Sequence, residues 1–510
     1  MTGATAIRPV PRSLAELTRG LLEAPADRPV SDVTLDSREA SPGALFLACP
    51  GQTRHGLEFA AEAVARGASA VLYEPTGAQP LEVPRLGTGV FVAPVPQLSR
   101  HAGVIADRFF DHPSRSLEVV GITGTNGKTT CAWLLAQALT VCGRSGAYMG
   151  TLGFGLPASL EGTQYTTSDA VTVHRRLARL RGLGARSVGM EVSSHALDQH
   201  RVAAVRLHTA AFTNLTRDHL DYHGTMDAYG QAKARLFAVE GLVSRVINID
   251  DAFGAQLAGR PADGTLIVTA RRARAEGIPS HARVVRGADL RPEGIGQSVR
   301  VQSDWGGGEL HVPLIGEFNA DNALTVLAIL LGADVPLPDA LAALRRCRAA
   351  PGRMEAFGGE AGRPLAIVDY AHTPDALEKA LRAARLHCRG KLRVVFGCGG
   401  DRDAGKRPMM GRIAAGLSDE IILTDDNPRT EPPERIAADI LAGIGSGATV
   451  RIEHDRRAAI GLALGHCGAG DVVLVAGKGH EGYQIYGRER RPFQDQAVVC
   501  EALGLGESRS

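Results

Sequence analysis

The chain has 510 residues, of which 44% are hydrophobic and 22% are charged, and its formal net charge at pH 7 is +2. This composition is typical of soluble globular proteins, and so small a net charge excludes the strongly charged surface that favours nucleic acid or membranes as partners. The eight cysteines are scattered without a CxxC pair, which argues against a zinc site or disulfide framework and predicts a cytoplasmic protein. We expect no secretory signal and no membrane span, because no apolar run has the required length.

The length predicts about three to four domains, and two breaks divide the chain. The polar segment DHPSRS near residue 112 precedes an apolar strand, and RAAPGRM near residue 350 interrupts a helical pattern before another strand. We therefore predict an N-terminal domain over residues 1–111, a central domain over residues 112–349 and a C-terminal domain over residues 350–510.

Short runs rich in valine and isoleucine recur along the chain, each followed by a Gly- or Asp-rich loop and a helical pattern. Examples are LEVVGITGTNGKTT, SVGMEVSSHAL, LRVVFGCGGDRD, EIILTDDNPRT and DVVLVAGKGHEG. This alternation predicts an α/β fold with parallel sheets covered on both faces. Ligands of such folds bind outside the carboxyl ends of the strands, so the polar residues that follow these strands are the candidate functional residues.

The segment GITGTNGKTT follows an apolar strand and opens a helical pattern. Its glycines would let backbone N–H groups surround a phosphate, and the start of a helix favours negative charge. Lys128 would reach the β- and γ-phosphates, and the Thr129 hydroxyl would bind Mg²⁺. One position departs from the general phosphate-loop pattern, since Ile122 stands where glycine is usual. A plain Gly-rich turn with an exposed lysine is the weaker alternative, because strand, glycines, Lys-Thr and helix are all in register.

Acidic and imidazole side chains also follow the central strands. Glu191 ends the strand SVGM, and His195 and His219 lie in the loops nearby. A carboxylate and an imidazole at strand ends could complete the shell of a Mg²⁺ ion bound to substrate phosphates. His195 could equally make a structural hydrogen bond, and Asp218 could either orient His219 or cap a helix.

Motifs along nearly the whole chain resemble the Mur ligase family, and within it the branch that adds meso-diaminopimelate. They are DSR (36–38), GTNGKTT (124–130), MEVSSHAL (190–197), FTNLTRDHLDYHG (212–224), GEFNADN (316–322), PGRME (351–355), DYAHTPDAL (369–377), GCGGDRDAGKRP (397–408), DDNPR (425–429) and GKGHE (477–481). The resemblance implies an N-terminal UDP-binding α/β domain, a central P-loop ATPase-like domain with a parallel sheet, and a C-terminal Rossmann-like α/β domain.

The resemblance implies an ATP-dependent amide ligase of peptidoglycan precursor synthesis. Such an enzyme joins meso-2,6-diaminopimelate to the D-glutamyl γ-carboxylate of UDP-N-acetylmuramoyl-L-alanyl-D-glutamate through an acyl phosphate, and it uses two Mg²⁺ ions. Its partners are these small molecules, with neither nucleic acid nor membrane insertion, and we expect a monomer.

The resemblance also implies which residues act on ATP. The catalytic set is Lys128, Glu191, His219, Lys233, Arg353 and Asp369. The ATP-binding set is Gly124, Thr125, Asn126, Gly127, Lys128, Thr129, Thr130, Asn319 and Asn322. The metal-binding set is Thr129, Glu191, His219 and Lys233, with Lys233 carbamylated by CO₂ to N6-carboxylysine. From spacing alone, Lys233 would be a solvated helix lysine and Asn322 a cap or turn residue.

The UDP-muramoyl-dipeptide would be bound by a further set implied by the resemblance: Ser37, Thr166, Thr167, Ser193, Gln199 and Arg201. Within the UDP part, Ser37 and the segment of Gln52, Thr53 and Arg54 occupy positions that resemble contacts to the uridine diphosphate, although this segment varies from relatives. Ser168 stands where many members of the family have proline, so a stiffer loop would be lost while both threonine hydroxyls remain.

Diaminopimelate carries a carboxylate and an amine at each end, so its recognition requires matched opposite charges. The residues implied are Arg402, Asp426, Asn427, Pro428, Arg429, Gly477 and Glu481. Arg429 offers a bidentate fork for a carboxylate. Asp426, Asn427 and Glu481 can accept hydrogen bonds from an ammonium group. Taken alone, DNPR could be an ordinary turn.

Alternatives to this function remain open. The same ligase could use L-lysine, but lysine-adding members are expected to lack Arg429. A folylpolyglutamate synthetase would share the phosphate loop without DDNPR and GKGHE together. A non-catalytic nucleotide-binding protein would have no reason to keep the whole catalytic set.

Overall fold

The computed structural model describes residues 10–51, 53–75, 82–163, 165–273, 278–360 and 362–506. The chain divides into two compact units, of which the first comprises residues 1–268 and 274–283 and the second residues 269–273 and 284–510. Both units contain helices packed on parallel strands, so the predicted α/β fold class is confirmed. In the described ranges, no helix is long and apolar enough to cross a membrane.

The first part of unit one is built on a four-stranded parallel sheet of order β3-β4-β5-β6. The four strands of this sheet are β3 (Asp32–Thr34), β4 (Ala44–Ala48), β5 (Ala70–Tyr73) and β6 (Phe91–Pro94). Two shorter strands, β1 (Arg12–Ser13) and β2 (Pro29–Val30), pair antiparallel with each other. The helices of this part are α1 (Leu14–Leu17), α2 (Ala60–Ala65) and α3 (Leu98–Phe109). Leu45 and Leu47 of β4 pack in one core with α1 and α3, while Phe46 and Ala48 pack in another with α2. Burial on both faces explains the uninterrupted apolar sequence of this strand.

The rest of unit one has the strand order β10-β9-β8-β11-β7-β12-β13-β14. The strands are β7 (Glu118–Thr123), β8 (Gly146–Gly150), β9 (Gly153–Leu156), β10 (Ser159–Glu161), β11 (Ser187–Glu191), β12 (Thr209–Phe212), β13 (Ser244–Asn248) and β14 (Thr265–Ala270). The helices are α4 (Lys128–Val141), α5 (Ala170–Gly182), α6 (Ser194–Asp198), α7 (Leu220–His223), α8 (Met226–Ala234) and α9 (Ala252–Ala258).

The strands β11, β7 and β12 are parallel neighbours, with Glu191 opposite Ile122 and Phe212 opposite Thr123. The segments that follow these three strands therefore leave the sheet along one edge.

Unit two contains a six-stranded sheet of order β18-β19-β23-β20-β21-β22. Its strand β18 runs antiparallel to β19, and the other neighbouring strands of the sheet are parallel. The strands of this unit are β15 (Arg283–Glu293), β16 (Gly296–Ser303), β17 (Gly306–Val312), β18 (Glu355–Gly358), β19 (Leu365–Asp369), β20 (Leu392–Phe396), β21 (Glu420–Leu423), β22 (Val450–Ile452), β23 (Val472–Ala476), β24 (Tyr483–Tyr486) and β25 (Glu489–Pro492). The helices are α10 (Glu317–Gly332), α11 (Leu337–Arg345), α12 (Pro374–Arg385), α13 (Lys406–Leu417), α14 (Pro433–Leu441), α15 (Arg456–Gly465) and α16 (Asp495–Ala502). Because β23, β20 and β21 are parallel neighbours, the GKGHE, GCGGDRD and DDNPR segments all follow strands at one edge of this sheet.

A buried ion pair joins the first residues of α15 and α16. Arg456 Nε lies 2.7 Å from Asp495 Oδ1 and Arg456 Nη2 lies 2.8 Å from Asp495 Oδ2, and both side chains are fully buried. One helical position further along, Arg457 pairs with Glu501 at the surface, where both side chains are mostly exposed.

We predict that Asp495→Asn lowers the free energy of unfolding by roughly 3–5 kcal/mol, because it leaves the Arg456 guanidinium buried without a counter-charge. The matched variant Glu501→Gln breaks a solvated pair and should leave the denaturation midpoint nearly unchanged. Urea denaturation followed by circular dichroism measures both. Equal midpoints for the two variants would show that the buried pair makes no special contribution.

Candidate active site

The predicted phosphate loop joins β7 to α4, and two of its glycines have positive φ angles, 151° at Gly124 and 86° at Gly127. A methyl group on Gly124 would lie only 1.9 Å from Thr213 Oγ1. Lys128 is the first residue of α4, and its Nζ donates to the carbonyl oxygens of Gly124 and Thr125 at 2.8 and 2.9 Å. The lysine ammonium and the start of the helix therefore lie beside the same short loop.

The segment after β12 fixes the shape of this loop. Thr125 N donates to the Asn214 carbonyl oxygen at 2.8 Å, and Asn126 N donates to Asn214 Oδ1 at 2.9 Å. Thr213 Oγ1 donates to the Asn126 carbonyl oxygen at 2.6 Å. Sequence analysis assigned no role to Thr213 or Asn214, although their position directly after a strand was a usable signal.

Glu191 lies at the end of β11 with 1% of its surface exposed, and four donors hold its carboxylate. Tyr148 Oη donates to Oε1 at 2.5 Å and Thr151 N at 2.9 Å. Thr129 Oγ1 donates to Oε2 at 2.9 Å, and Thr151 Oγ1 at 3.3 Å. The Thr129 hydroxyl and the Glu191 carboxylate are thus in direct contact. Both present oxygen atoms that can bind a metal ion, and Mg²⁺ prefers oxygen ligands.

Lys233 is buried in α8, with 1% of its surface exposed, in contrast to the solvated lysine that its spacing suggested. Its Nζ donates to the Gly124 carbonyl oxygen at 2.8 Å and lies 4.3 Å from the centre of the Tyr229 ring. Burial lowers the pKa of the Lys233 ammonium well below its ordinary value, and the positive charge of Lys128 lowers it further.

The predicted histidines lie close to each other, and the His219 ring lies 6.0 Å from the Tyr229 ring that Lys233 contacts. The His195 and His219 rings are 4.9 Å apart, and His195 also lies 5.4 Å from the His223 ring. Burial lowers the pKa of His195, and the neighbouring His219 lowers it further. Asp218 lies beside His219, because its Oδ1 accepts from the His219 backbone N–H at 2.9 Å and its Oδ2 lies 3.5 Å from His219 Nε2. Among the described residues, no side chain caps the start of α7, so these contacts favour the orienting role over the helix cap.

In the described part of the chain, no three His, Cys, Asp or Glu side chains gather as metal ligands.

Most residues predicted to bind the peptide lie around the end of β11. Thr167 Oγ1 donates to the Glu191 carbonyl oxygen at 2.9 Å and accepts from Ser193 N at 3.1 Å. Arg201 Nη1 donates to the Thr167 carbonyl oxygen at 2.9 Å, and its Nε donates to Gln199 Oε1 at 3.0 Å. Four of the predicted residues therefore belong to one hydrogen-bonded group, namely Thr167, Ser193, Gln199 and Arg201. Thr166 Oγ1 lies 3.0 Å from Thr151 Oγ1, which also contacts Glu191.

Ser168 is 4% exposed, and its Oγ accepts from Arg176 Nη1 at 2.7 Å. The Arg176 guanidinium lies 4.8 Å from the centre of the Phe154 ring. A hydrogen bond therefore restrains this loop, whereas proline would restrain it through a fixed φ angle.

The residues predicted for the uridine diphosphate are less clearly organised. Ser37 is buried, and its Oγ donates to Glu62 Oε2 at 2.8 Å. Arg54 pairs with Glu58 at 2.8 Å, Thr53 is exposed, and Gln52 lies outside the described residues. Over the described ranges, no hydrogen bond joins Ser37 to the group around β11.

Unit two holds the remaining residues predicted to act on ATP. Asn319 Nδ2 donates to the Ile315 carbonyl oxygen at 2.8 Å, and Asn322 Nδ2 donates to Asn319 Oδ1 at 3.1 Å, both in the first turns of α10. The Arg353 guanidinium lies 4.8 Å from the centre of the Tyr370 ring, and its buried Nε has no hydrogen-bond partner among the described residues. Burial raises the pKa of the Asp369 carboxyl, an effect that Arg353 opposes.

The residues predicted to bind diaminopimelate converge at the carboxyl edge of the C-terminal sheet. A methyl group on Gly399 would lie 2.9 Å from Arg429 Nη1 and 3.7 Å from Arg402 Cγ, so the two arginines flank one glycine. Arg429 Nη1 donates to the Gly400 carbonyl oxygen at 2.7 Å. Pro428 is buried between Asn427 and Arg429.

The acidic side of this pocket comes from the two neighbouring loops. Asp426 Oδ2 would lie 2.7 Å from a methyl group on Gly477, so the glycine leaves room beside this carboxylate. Asn427 Nδ2 donates to Glu481 Oε2 at 2.9 Å. The Asn427 oxygen is already occupied, because Oδ1 accepts from Lys478 Nζ at 3.2 Å and from Ile485 N at 3.0 Å. The predicted role of Asp426, Asn427 and Glu481 as acceptors for an ammonium group stays a prediction, and for Asn427 it would have to share an oxygen that already has two donors.

Several residues that shape these sites were missed by sequence analysis. Tyr148 holds Glu191 from inside a buried strand, and Gln484 Nε2 in β24 donates to the carbonyl oxygens of Asp425 and Asp426 at 3.1 and 3.3 Å. Lys478 belongs to the GKGHE segment, and a lysine two residues after a buried strand was a signal that could have been used.

We predict that Gly124→Ala abolishes ATP binding, because its methyl group would meet Thr213 and the positive φ angle disfavours a side chain. Gly143→Ala is the matched control, since Gly143 also has a positive φ angle but nothing within 4 Å. Isothermal titration calorimetry with ATP and Mg²⁺ measures both variants. Wild-type affinity in folded Gly124→Ala would remove this loop from the nucleotide site.

Comparison with known proteins identifies the family of this chain. Three family models match the chain, namely the Mur ligase middle domain over residues 122–330, the glutamate ligase domain of Mur ligases over residues 352–479 and the catalytic domain of the Mur ligase family over residues 29–109.

Two relatives are similar over most of their length, and both are named UDP-N-acetylmuramoyl-L-alanyl-D-glutamate--2,6-diaminopimelate ligase. The Alkalilimnicola ehrlichii protein is 49% identical over 94% of this chain and 96% of its own. The Pseudomonas aeruginosa protein is 46% identical over 98% and 99%. A solved structure of a ligase with the same name is 34% identical, covers 97% of this chain and 99% of its own, and superposes with a TM-score of 0.69. The chain belongs to the Mur ligase family.

Proposed function

We propose that this protein is an ATP-dependent ligase that joins meso-2,6-diaminopimelate to the D-glutamyl γ-carboxylate of UDP-N-acetylmuramoyl-L-alanyl-D-glutamate. The names of the similar ligases support this choice within the family. The observation that carries it is the carboxyl edge of the C-terminal sheet, where Arg429 and Arg402 flank Gly399 and the carboxylates of Asp426 and Glu481 lie in the loops after β21 and β23. An amino acid end with a carboxylate and an amine requires this pairing of charges.

The first step is transfer of the γ-phosphoryl group of ATP to the γ-carboxylate, which gives ADP and an acyl phosphate. The amine of diaminopimelate then attacks the acyl carbon, so that a C–N bond forms, the C–O bond to phosphate breaks and the nitrogen loses a proton. The chain contributes positioning and charge in both steps. Lys128 and the backbone N–H groups of the phosphate loop neutralise the phosphates, and Arg353 supplies a further positive charge.

Magnesium, when bound, would neutralise phosphate charge and polarise the transferred group. Thr129 Oγ1 and Glu191 Oε2 would hold one ion, since both are oxygen donors and lie 2.9 Å apart. His219 and a carbamate on Lys233 would hold a second. An unmodified Lys233 ammonium would repel a cation, so the second ion depends on the modification.

The environment of Lys233 favours carbamylation. Only a neutral amine attacks CO₂, and both burial and Lys128 lower the Lys233 pKa. The ammonium first loses one proton to give the neutral amine. The Nζ–C bond then forms as one C–O π bond of CO₂ opens, and Nζ loses a second proton, so that overall a cation becomes an anion. Repulsion between Lys128 and Lys233 is thereby replaced by attraction.

We predict that Lys233→Ala lowers kcat by about a hundredfold or more, because the charge that holds the second ion is lost. Acetate or formate should restore part of the activity to this variant but none to Lys233→Arg, whose side chain fills the space. Native mass spectrometry should find one added CO₂ on the unaltered protein. Full activity of Lys233→Ala without added carboxylate would rule out the carbamate.

We predict that Arg429→Ala raises the KM for diaminopimelate at least about tenfold and leaves the KM for ATP unchanged, because a bidentate carboxylate contact is lost. The exposed Arg435 in α14 provides the control Arg435→Ala. Initial rates over a range of each substrate separate the two KM values. An unchanged KM for diaminopimelate would remove Arg429 from the pocket.

Phosphate release from ATP tests the function directly, in the presence of UDP-N-acetylmuramoyl-L-alanyl-D-glutamate and either meso-diaminopimelate or L-lysine. Turnover with diaminopimelate alone is expected. Turnover with lysine would keep the ligase and overturn the choice of amino acid. Turnover with neither, in protein that still binds ATP, would leave a nucleotide-binding protein without ligase activity.

A further inference from the structure

Lys478 lies between Gly477 and Gly479 in the loop that follows β23, and its side chain is fully buried. Its Nζ lies 3.1 Å from Glu481 Oε2, 3.2 Å from Asn427 Oδ1 and 5.5 Å from the centre of the Tyr483 ring. These groups surround the ammonium with a carboxylate, an amide oxygen and an aromatic face. Lys478 is therefore enclosed by the protein and does not itself contact a bound amino acid.

The ammonium group determines which way the Asn427 amide points. Asn427 Oδ1 accepts from Lys478 Nζ and from Ile485 N, and Asn427 Nδ2 donates to Glu481 Oε2. The opposite orientation would place the Nδ2 donors against two other donors and the Oδ1 acceptor against a carboxylate. Only one orientation therefore satisfies these groups, and Asn427 is 3% exposed.

The same contacts distinguish the two oxygens of Glu481. Oε2 accepts from both Lys478 Nζ and Asn427 Nδ2, at 3.1 and 2.9 Å. In the described part of the chain, no hydrogen bond reaches Oε1, and the Glu481 side chain is 19% exposed. One oxygen is thus held inside the protein while the other remains available at the pocket.

We propose that Lys478 is a positioning residue for the amino-acid pocket, which holds Glu481 Oε2 and Asn427 Oδ1 so that Glu481 Oε1 accepts from an ammonium group of the diamino acid. This inference rests on the proposed function. Lys478 also places a positive charge 3.1 Å from the partly buried Glu481 carboxylate. The ammonium of the substrate is then bound by Glu481 Oε1 and the Asp426 carboxylate.

Lys478→Met removes the charge and keeps a long side chain. The KM for diaminopimelate should rise about tenfold or more, as on loss of residues that orient a ligand-binding group, and the KM for ATP should stay unchanged. Lys391→Met, at an exposed lysine beside β20, should change neither value. An unchanged KM for diaminopimelate in folded Lys478→Met would overturn the inference.

The double variant Lys478→Met/Glu481→Gln shows whether Lys478 acts through Glu481, and because neither charge remains it avoids an unpaired buried ion. Its KM for diaminopimelate should lie within about twofold of that of Glu481→Gln alone, since residues acting as one unit are not additive. A further tenfold rise in the double variant would mean that Lys478 acts independently and would overturn the inference. This comparison also decides the matter where Lys478→Met alone does not fold.

Failure of the inference and failure of the proposed function have different signatures. An unaltered protein that does not ligate diaminopimelate would overturn the proposed function, and with it this role of Lys478. An active unaltered protein with no change of KM in the variants would overturn only the positioning role.

Discussion

Both units depend on parallel strands that are buried on both faces. The middle of such a strand is mostly apolar, as in β23, where all five residues are buried. Polar and charged residues are therefore concentrated near the strand ends and in the loops that follow them. In unit one these ends carry the phosphate loop and Glu191, and in unit two they carry the charged segments after β20, β21 and β23. The arrangement of strands thus determines where chemistry can occur.

Buried charges at these edges remain ordered because each has specific partners. Glu191 accepts four hydrogen bonds, Lys233 lies against a carbonyl oxygen, and Lys478 pairs with Glu481. An ion transferred into a protein interior without such partners costs several kcal/mol. The contacts that offset this cost also restrict each side chain to one orientation, which is the property a binding site requires.

The sequence predicted the fold class and the segments that carry the sites, because apolar runs and glycine-rich loops reflect local physical requirements. It did not predict environments that depend on distant contacts. Lys233 has the spacing of a surface helix residue, yet its ammonium is buried against the carbonyl oxygen of Gly124, which lies 109 residues earlier in the chain. Asn427 was expected to accept from an ammonium group, but Lys478 and Ile485 occupy its oxygen. Hydrogen-bond direction follows from the folded arrangement and cannot be determined from residue type.

The conformation of Arg429 links the amino-acid pocket to a hairpin far along the chain. Its φ angle is 55°, in the left-handed region, which costs a non-glycine residue roughly 1–2 kcal/mol. Arg429 N donates to the Ile485 carbonyl oxygen at 3.0 Å, and Gly487 N donates to the Arg429 carbonyl oxygen at 2.6 Å. These two hydrogen bonds offset the strain and hold the arginine in place. Because Ile485 also binds Asn427, the β24–β25 hairpin orients the cationic and the amide side chains of the pocket together.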